Sequence, residues 1–134
     1  MRPRTLLISA FAAALSASAL ACSTSTFPND APILDNVESP SVVAAENGTY
    51  RVPVTVYFHD NDGEVITHVR YRLQPTVDAV VEIARPNPTR ESAEVVLAIP
   101  ASACGDKDTH ALEITVLDGR GAESRALPRF VTLR

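Results

Sequence analysis

The stretch HDNDGE, residues 59–64, concentrates oxygen-bearing side chains in one short segment. Asp60, Asn61 and Asp62 follow one another there, and carboxylate and amide oxygens are the ligands that calcium binds in proteins. Calcium takes about six to eight such oxygens, so further ligands must come from elsewhere in the fold. The segment therefore indicates a calcium site that is shared between turns.

An EF-hand is the first arrangement to test, because its loop supplies most of its ligands from one segment. Setting Gly63 at the glycine position of such a loop places Phe58 at the first ligand position and Val69 at the last. Neither side chain has an oxygen to offer. The stretch is therefore not an EF-hand loop.

A site between turns remains open, with Asp60, Asp62 and Asp118 as its predicted metal ligands. Asn29 and Asp30, ahead of the first predicted strand, would lie at the same end of the molecule. The alternative is structural, because Asp, Asn and Gly are the residues that tight turns select. Both interpretations stay open on the sequence, and no cofactor other than calcium is indicated.

The other reactive side chains do not form a recognisable constellation. His59 and His68 fall in different predicted strands and His110 begins a third, so three ligands are not expected to meet at a zinc ion. The sequence contains no GxSxG, P-loop, HExxH or CxxC motif. Cys104 has no evident paired base. We therefore expect a protein that is not an enzyme.

Arg70 and Arg72 alternate to the outer face of their predicted strand, and Glu113 is expected to face outward on the neighbouring strand. Cross-strand ion pairing is the expected role of these charges. A patch for acidic ligands is the alternative. The chain has 12 basic and 16 acidic residues, a net charge of −4. This balance lacks the basic footprint of a nucleic-acid-binding protein, so no nucleic acid partner is expected.

The first 21 residues have the layout of an export signal. Arg2 and Arg4 give a positive start, and an uncharged run dominated by Ala, Leu and Ser follows from Leu6 to Leu20. This run is shorter than the ~20 apolar residues that a membrane-spanning helix needs. Residues 1–21 are therefore predicted to be a signal peptide that is removed.

Cys22 stands directly after the predicted cut, and the motif SALAC, residues 18–22, resembles the lipobox of bacterial lipoproteins. In that family Ala21 would be the small residue before the cut, and Cys22 would carry a thioether-linked diacylglycerol and an acylated amine. The motif departs from its commonest form, because Leu20 stands nearer the cut than usual and Ala19 takes the place usually held by Leu.

The lipobox resemblance implies a lipid anchor, with palmitate-type chains, in a bacterial cell envelope. Two or more acyl chains make membrane attachment lasting. By the sorting pattern of this family, Ser23 favours the outer membrane over the inner membrane, and residues 22–30 would form a lipidated tether. Two alternatives are a secreted or periplasmic protein without lipid, and a disulfide between Cys22 and Cys104 in an oxidising compartment.

Alternation of apolar and polar residues predicts strands throughout the rest of the chain, and no helix pattern interrupts them. Residues 50–59 show it most clearly, with Val52, Val54, Val56 and Phe58 on one face. The seven predicted strands cover residues 32–37, 50–59, 64–73, 77–84, 92–99, 110–118 and 127–134. The inward-facing residues expected in the later strands include Val65, Thr67, Val69, Tyr71, Leu73, Leu112, Ile114, Val116, Val131 and Leu133.

Two stretches resemble bacterial immunoglobulin-like domains. VTVYFHDNDGEVITHVRYRL, residues 54–73, looks like their strand B, DxDG turn and strand C, and DTHALEITVLDGRGAES, residues 108–124, looks like strand F, the F–G turn and the start of strand G. PKD and cadherin-type domains share the second pattern. The disulfide and strand C Trp of antibody domains are missing, as is the WDFGDG-like motif of PKD domains. The resemblance implies an all-β fold, an immunoglobulin-like β-sandwich of about seven antiparallel strands over residues 31–134.

In such a sandwich the B–C and F–G turns share one end with the start of strand A, and the E–F connection, which holds Cys104, lies at the other. Strands of this length separate the two ends by roughly 25 Å, whereas a disulfide needs its Cα atoms within ~7 Å. Cys104 is therefore expected to be a free, semi-buried thiol. Pro53 falls in a central strand, so its missing N–H is expected to point at a bulge or an edge.

Together these patterns predict a membrane-anchored bacterial envelope lipoprotein. Its folded part would be a non-catalytic immunoglobulin-like module used for interaction or structure, with an envelope protein of unknown identity as partner. One alternative is a calcium-stabilised adhesive module that uses the B–C and F–G turn carboxylates. A second is a secreted soluble protein or inhibitor without a lipid anchor.

Overall fold

The computed structural model describes residues 30–134. The predicted signal peptide, Cys22 and Asn29 lie outside the described residues, and so does nearly all of the predicted tether. Within the described part, no helix is long and apolar enough to cross a membrane.

Residues 30–134 fold into nine strands and one short 3₁₀ helix. The strands are β1 Ile33–Glu38, β2 Val42–Val43, β3 Ala45–Glu46, β4 Thr49–His59, β5 Ile66–Leu73, β6 Val77–Glu82, β7 Ser92–Pro100, β8 Thr109–Asp118 and β9 Leu127–Leu133. The 3₁₀ helix, Ala101–Ala103, follows β7 directly.

The strands form two sheets. In the first sheet β4 is central, with β7 along one side and both β1 and β3 along the other. In the second sheet the order is β2-β9-β8-β5-β6. Every described strand pair is antiparallel except β2 with β9, which is parallel. The predicted all-β, immunoglobulin-like sandwich is confirmed, and its seven predicted strands correspond to the seven longer ones.

The core lies between the sheets and follows from the alternation in the sequence. Val52 and Val56 on β4 are fully buried, as are Leu112 and Ile114 on β8. The other predicted inward residues that the structure buries are Val54, Phe58, Val69, Tyr71, Leu73, Val116, Val131 and Leu133. Because each of these strands buries one face and leaves the other wet, a period of two residues specified the core.

At the start of β5 the prediction was wrong. Val65 and Thr67 were expected to face inward, but Ile66 is the buried residue, at 4% exposure, and both neighbours are only partly buried. The pairing of β5 with β8 shifts register between Ile66 and His68. A bulge of this kind inserts one residue into the alternation and so moves the side chains before it to the opposite face.

The sequence pattern also missed β2 and β3, because two residues are too few to show alternation. After β1 the chain passes Pro40, crosses to the second sheet as β2, and returns to the first as β3. The β3–β4 hairpin then turns through Asn47 and Gly48, whose φ angles are 51° and 77°. Positive φ at both central residues is what a two-residue hairpin of this twist requires.

One backbone bond fixes which way the residues of β4 face. Phe58 donates its N–H to the carbonyl of Glu91, on the β7 side of the sheet. In an antiparallel pair, the backbone groups of alternate residues point to alternate sides. Even-numbered residues of β4 therefore bond to β7, and odd-numbered residues point to the side of β1 and β3.

Pro53 is tolerated for this reason. On its side of β4, β3 pairs at Thr49 and Tyr50 and β1 pairs from Thr55 onward, so Pro53 falls in the gap between them. Its missing N–H faces this open stretch and removes no bond from the ladder. The expectation that Pro53 points to an edge is confirmed.

Arg129 joins the two sheets along the side where β9 faces β1. Its Nε donates to the carbonyl of Val37, and its Nη2 donates to Oδ1 of Asn36 at 2.7 Å. Hydrogen bonds from a charged donor are stronger than those between neutral groups. This guanidinium therefore holds β1 and β9 together at a place where, within residues 30–134, the two strands are not paired.

Candidate functional site at the carboxylate end

The predicted metal ligands lie at one end of the sandwich, called here the carboxylate end. Asp60 and Asp62 follow β4, and Asp118 ends β8. Cys104 lies at the opposite end, because Pro100, just before it, pairs with Thr49 at the beginning of β4. The predicted separation of Cys104 from these turns is therefore confirmed.

The turn after β4 is organised by the carboxylate of Asp60. Its Oδ1 accepts the backbone N–H of Asp62 at 3.0 Å and that of Glu64 at 3.3 Å. Oδ2 of Asp62 in turn accepts the backbone N–H of Asp30 at 2.9 Å. The beginning of the described chain is therefore held against this turn, as expected for Asp30 from the sequence.

The second oxygen of Asp60 has no such role. Oδ2 is buried and has no hydrogen-bond partner among the described residues. Burial, followed by the neighbouring carboxyl group of Asp62, raises the pKa of Asp60, and the neighbouring carboxyl group of Asp60 is the main cause that lowers the pKa of Asp62. The two carboxyl groups therefore influence each other's titration, and Asp60 is the one that keeps its proton to the higher pH.

Asp118 serves its own turn. It is 2% exposed, and its Oδ1 accepts the backbone N–H of Arg120 at 2.9 Å and that of Ala122 at 2.8 Å. Two bonds join this turn to the one after β4: an ion pair between Glu64 and Arg120 at 2.8 Å, and the N–H of Gly119 donating to Val65. The two turns therefore form one connected unit.

The structure brings Asp60 and Asp62 into contact, and it places Asp118 in the turn beside them. Across residues 30–134, however, no three His, Cys, Asp or Glu side chains are arranged so that they could hold a metal ion. Asn29, which was expected nearby, lies outside the described residues. The calcium ligand set of Asp60, Asp62 and Asp118 stays a prediction.

The three histidines are held separately. His59, on β4 in the first sheet, bonds through Nδ1 to Asp35 at 2.8 Å. His68, on β5 in the second sheet, bonds to its neighbour Thr67 on the same strand. His110 is buried, and its Nε2 donates to the carbonyl of Lys107 at 2.6 Å. The described histidines therefore do not converge.

Arg70 and Arg72 pair with different partners from the one expected. Both guanidinium groups bridge Asp78 on β6 and Glu123 after β8, with N–O distances of 2.7–3.6 Å. Glu113 lies opposite Arg72 in the register but takes part in no ion pair within residues 30–134. The expectation of cross-strand ion pairing holds, but its assignment to Glu113 was wrong. The arginine charges are compensated within the chain.

Cys104 is a free thiol with 9% exposure, in accordance with the prediction of a free, semi-buried thiol. Its Sγ lies 3.8 Å from the carbonyl of Pro100 as a weak donor. Burial raises the pKa of the Cys104 thiol, so little of it is the reactive thiolate at neutral pH. It borders an open depression of about 480 Å³ that His110 and Thr76 also line.

The analysis of the sequence missed a second depression, at the carboxylate end. It has a volume of about 360 Å³ and is mostly apolar. Its wall includes Ala31, Ile33 and Leu127, with Glu123 and Arg125 at its polar side. The only sequence signal was that Ile33 precedes the buried residue of its strand and so faces outward.

No family model matches the sequence, and no curated protein matches it. Among solved structures, the chain is similar to the PKD domain of an M14-like peptidase from Thermoplasmatales archaeon SCGC AB-540-F20. The TM-score is 0.51 and the sequence identity 24%, over 78% of this chain and 97% of that one. Likeness at this identity concerns the fold alone, and it agrees with a PKD-like, immunoglobulin-like sandwich.

The Asp60→Asn variant should be more stable than the wild type at pH 7. Asn keeps an acceptor for the N–H groups of Asp62 and Glu64 but cannot ionise. The folded-state pKa of Asp60 is raised, so its contribution to stability is present at acidic pH and is lost as the pH rises through that pKa. We expect a melting temperature on the order of 2–4 °C above wild type at pH 7.

Thermal melts from pH 3 to pH 8 measure this difference, and it should close at about pH 3, where Asp60 is protonated in both states. Asp106→Asn, at the opposite end, is the matched control for the loss of one negative charge, and it should leave the melting temperature unchanged. A wild type that is more stable than Asp60→Asn at pH 7 would contradict the raised pKa of Asp60.

Proposed function

We propose that this protein is a membrane-anchored bacterial envelope lipoprotein whose folded part is a non-catalytic interaction or structural module. Cys22 carries the lipid, and residues 22–30 form the tether. The outer membrane is the proposed location. An envelope protein, recognised by the sandwich, is the proposed partner.

The lipobox-like motif that ends at Cys22 supports the anchor, and the attachment of the amino end determines how an anchored domain would sit. The backbone N–H of Asp30 donates to Asp62, so the chain leaves the sandwich at the carboxylate end. Asp30 lies only eight positions after Cys22, and a fully extended chain spans at most about 29 Å over eight residue steps. A lipid on Cys22 would therefore keep the carboxylate end close to the bilayer.

A non-catalytic role is supported by what the polar side chains do. Asp60 and Asp118 hold turns together, and Arg70 and Arg72 are paired with carboxylates. The thiol of Cys104 has a raised pKa. The PKD-like fold is compatible with many tasks and does not choose between them.

The lipid anchor can be tested with a palmitate analogue that carries an alkyne, supplied to bacteria that express the full chain. Wild-type protein should incorporate the label and should fractionate with membranes. The Cys22→Ser variant should lose both properties, and Cys104→Ser, the matched control, should keep both. An unlabelled wild-type protein that is released into buffer without detergent would instead support the alternative, a secreted or periplasmic protein or inhibitor without lipid.

The second candidate function is a calcium-stabilised adhesive module that uses Asp60, Asp62 and Asp118. The unpartnered Oδ2 of Asp60 favours it, because a cation could supply the missing interaction. If calcium binds, calcium at about 100 times its dissociation constant would stabilise the folded protein by about 2.7 kcal/mol. Thermal melts would then rise in calcium for wild type but not for Asp60→Asn. Identical wild-type melts in EDTA and in millimolar calcium would remove this candidate.

A further inference from the structure

Strand β7 has an open edge. It pairs with β4 along its whole length, from Ser92 opposite Tyr57 to Pro100 opposite Thr49. Within residues 30–134 no strand pairs with its other side. A nine-residue edge that contains Val95, Val96 and Leu97 is long and apolar, and such edges readily pair with another chain.

The backbone register determines which groups this edge presents. Glu91 accepts a hydrogen bond from Phe58 at one end of the strand pair, and Ala101 donates one to Gly48 at the other. Odd-numbered residues of β7 therefore bond to β4. Pro53 agrees with this parity, because it lies opposite Val96 and has no N–H to donate to it. The even-numbered residues of β7 direct their N–H and C=O groups to the open edge.

Both ends of this edge are partly capped by the protein's own side chains. Near one end, Nε of Arg90 donates to the carbonyl of Ser92 at 2.6 Å. Near the other, the hydroxyl of Tyr71 donates to the carbonyl of Ala98 at 2.9 Å. The middle of the edge, at Glu94 and Val96, has no such cap among the hydrogen bonds of the described residues.

We propose that the open edge of β7 pairs with the same edge of a second copy, antiparallel and centred on Val96. The two Val96 residues then lie opposite each other across the symmetry axis. Glu94 lies opposite Ala98 of the second copy, and Ser92 lies opposite Pro100. The first sheet continues through both copies as one sheet.

The chemistry of the edge matches this arrangement. Pro100 cannot donate a hydrogen bond, and in this register it faces Ser92, whose carbonyl already accepts one from Arg90. Glu94 faces Ala98 and not a second glutamate, so no like charges are opposed. Val96, which is 48% exposed, gains an apolar neighbour. This is also the one register in which all nine residues of both strands overlap.

The symmetry constrains how the pair would sit on a membrane. Because the strands run antiparallel, the two carboxylate ends point in opposite directions. If both copies are lipid-anchored to one bilayer, as the proposed function has it, their paired strands must lie along the membrane surface. The pairing itself uses no residue of the predicted tether, so it can be tested whether or not Cys22 is lipidated.

Sedimentation equilibrium of the protein expressed from its full sequence, in density-matched detergent, measures the pairing. The wild type should show a concentration-dependent equilibrium between monomer and dimer. Val96→Pro removes the N–H at the centre of the pairing without removing a bond to β4, and it should weaken dimerisation at least about tenfold. Phe130→Ser, which removes the most exposed large apolar side chain, is the control and should dimerise like wild type.

A pair of charge variants tests the register and remains informative if Val96→Pro does not fold. Ala98→Lys places a positive charge opposite Glu94 of the second copy and should tighten dimerisation about threefold to tenfold, and Ala98→Glu should weaken it by a similar factor. Within one copy, Ala98 lies opposite Arg51, so the effects on folding stability should have the opposite order. Melting temperatures of the same variants separate the two effects.

Three results would overturn the proposal. The first is a wild-type protein that stays monomeric up to millimolar concentration. The second is a dimer that Val96→Pro and both Ala98 variants leave unchanged. The third is an edge whose amides become protected only when a different protein is added, since the occupant would then be a strand from that protein.

Discussion

The pairing of β4 on both of its sides is the constraint on which the rest of the sandwich depends. Three strands bond to it, and its even-numbered side chains enter the core while its even-numbered backbone groups bond to β7. The alternation of odd- and even-numbered residues along β4 therefore determines three things: which side chains enter the core, which backbone groups bond to β7, and where Pro53 can be tolerated. A slip of one residue would expose Val52, Val54 and Val56. It would also place Pro53 where an N–H is needed to bond to β7.

The two ends of the sandwich, at opposite ends of β4, have different roles. At the carboxylate end, Oδ1 of Asp60 and Oδ1 of Asp118 accept hydrogen bonds from backbone N–H groups, so both side chains stabilise turns. Asp62 links this end to the start of the described chain. At the other end, Cys104 is buried beside the 3₁₀ helix. Along β7, the long side of the sandwich presents backbone groups that pair with no strand of residues 30–134.

Much of this fold could be predicted from the sequence, because alternation over five or more residues reports a strand with one wet face. The central strands β4 and β8 and the final strand were predictable for that reason. The bulge before His68 was not, since it depends on how β5 meets β8. The two short strands gave no periodic signal.

The partners of Arg70 and Arg72 depended on the β5–β6 hairpin register, which places Asp78 opposite Arg72. At the candidate site, the position of the carboxylates was predictable, but the backbone bonds that occupy Asp118 were not.

Amide hydrogen exchange on dilute, monomeric protein tests most directly which residues of β7 bond to β4 and which face the open edge. The account predicts alternation along one strand: slow exchange at Ala93, Val95 and Leu97, whose N–H groups bond to β4, and fast exchange at Glu94 and Val96, whose N–H groups point to the open edge. Uniformly slow exchange across these five residues, or the inverse alternation, would contradict it.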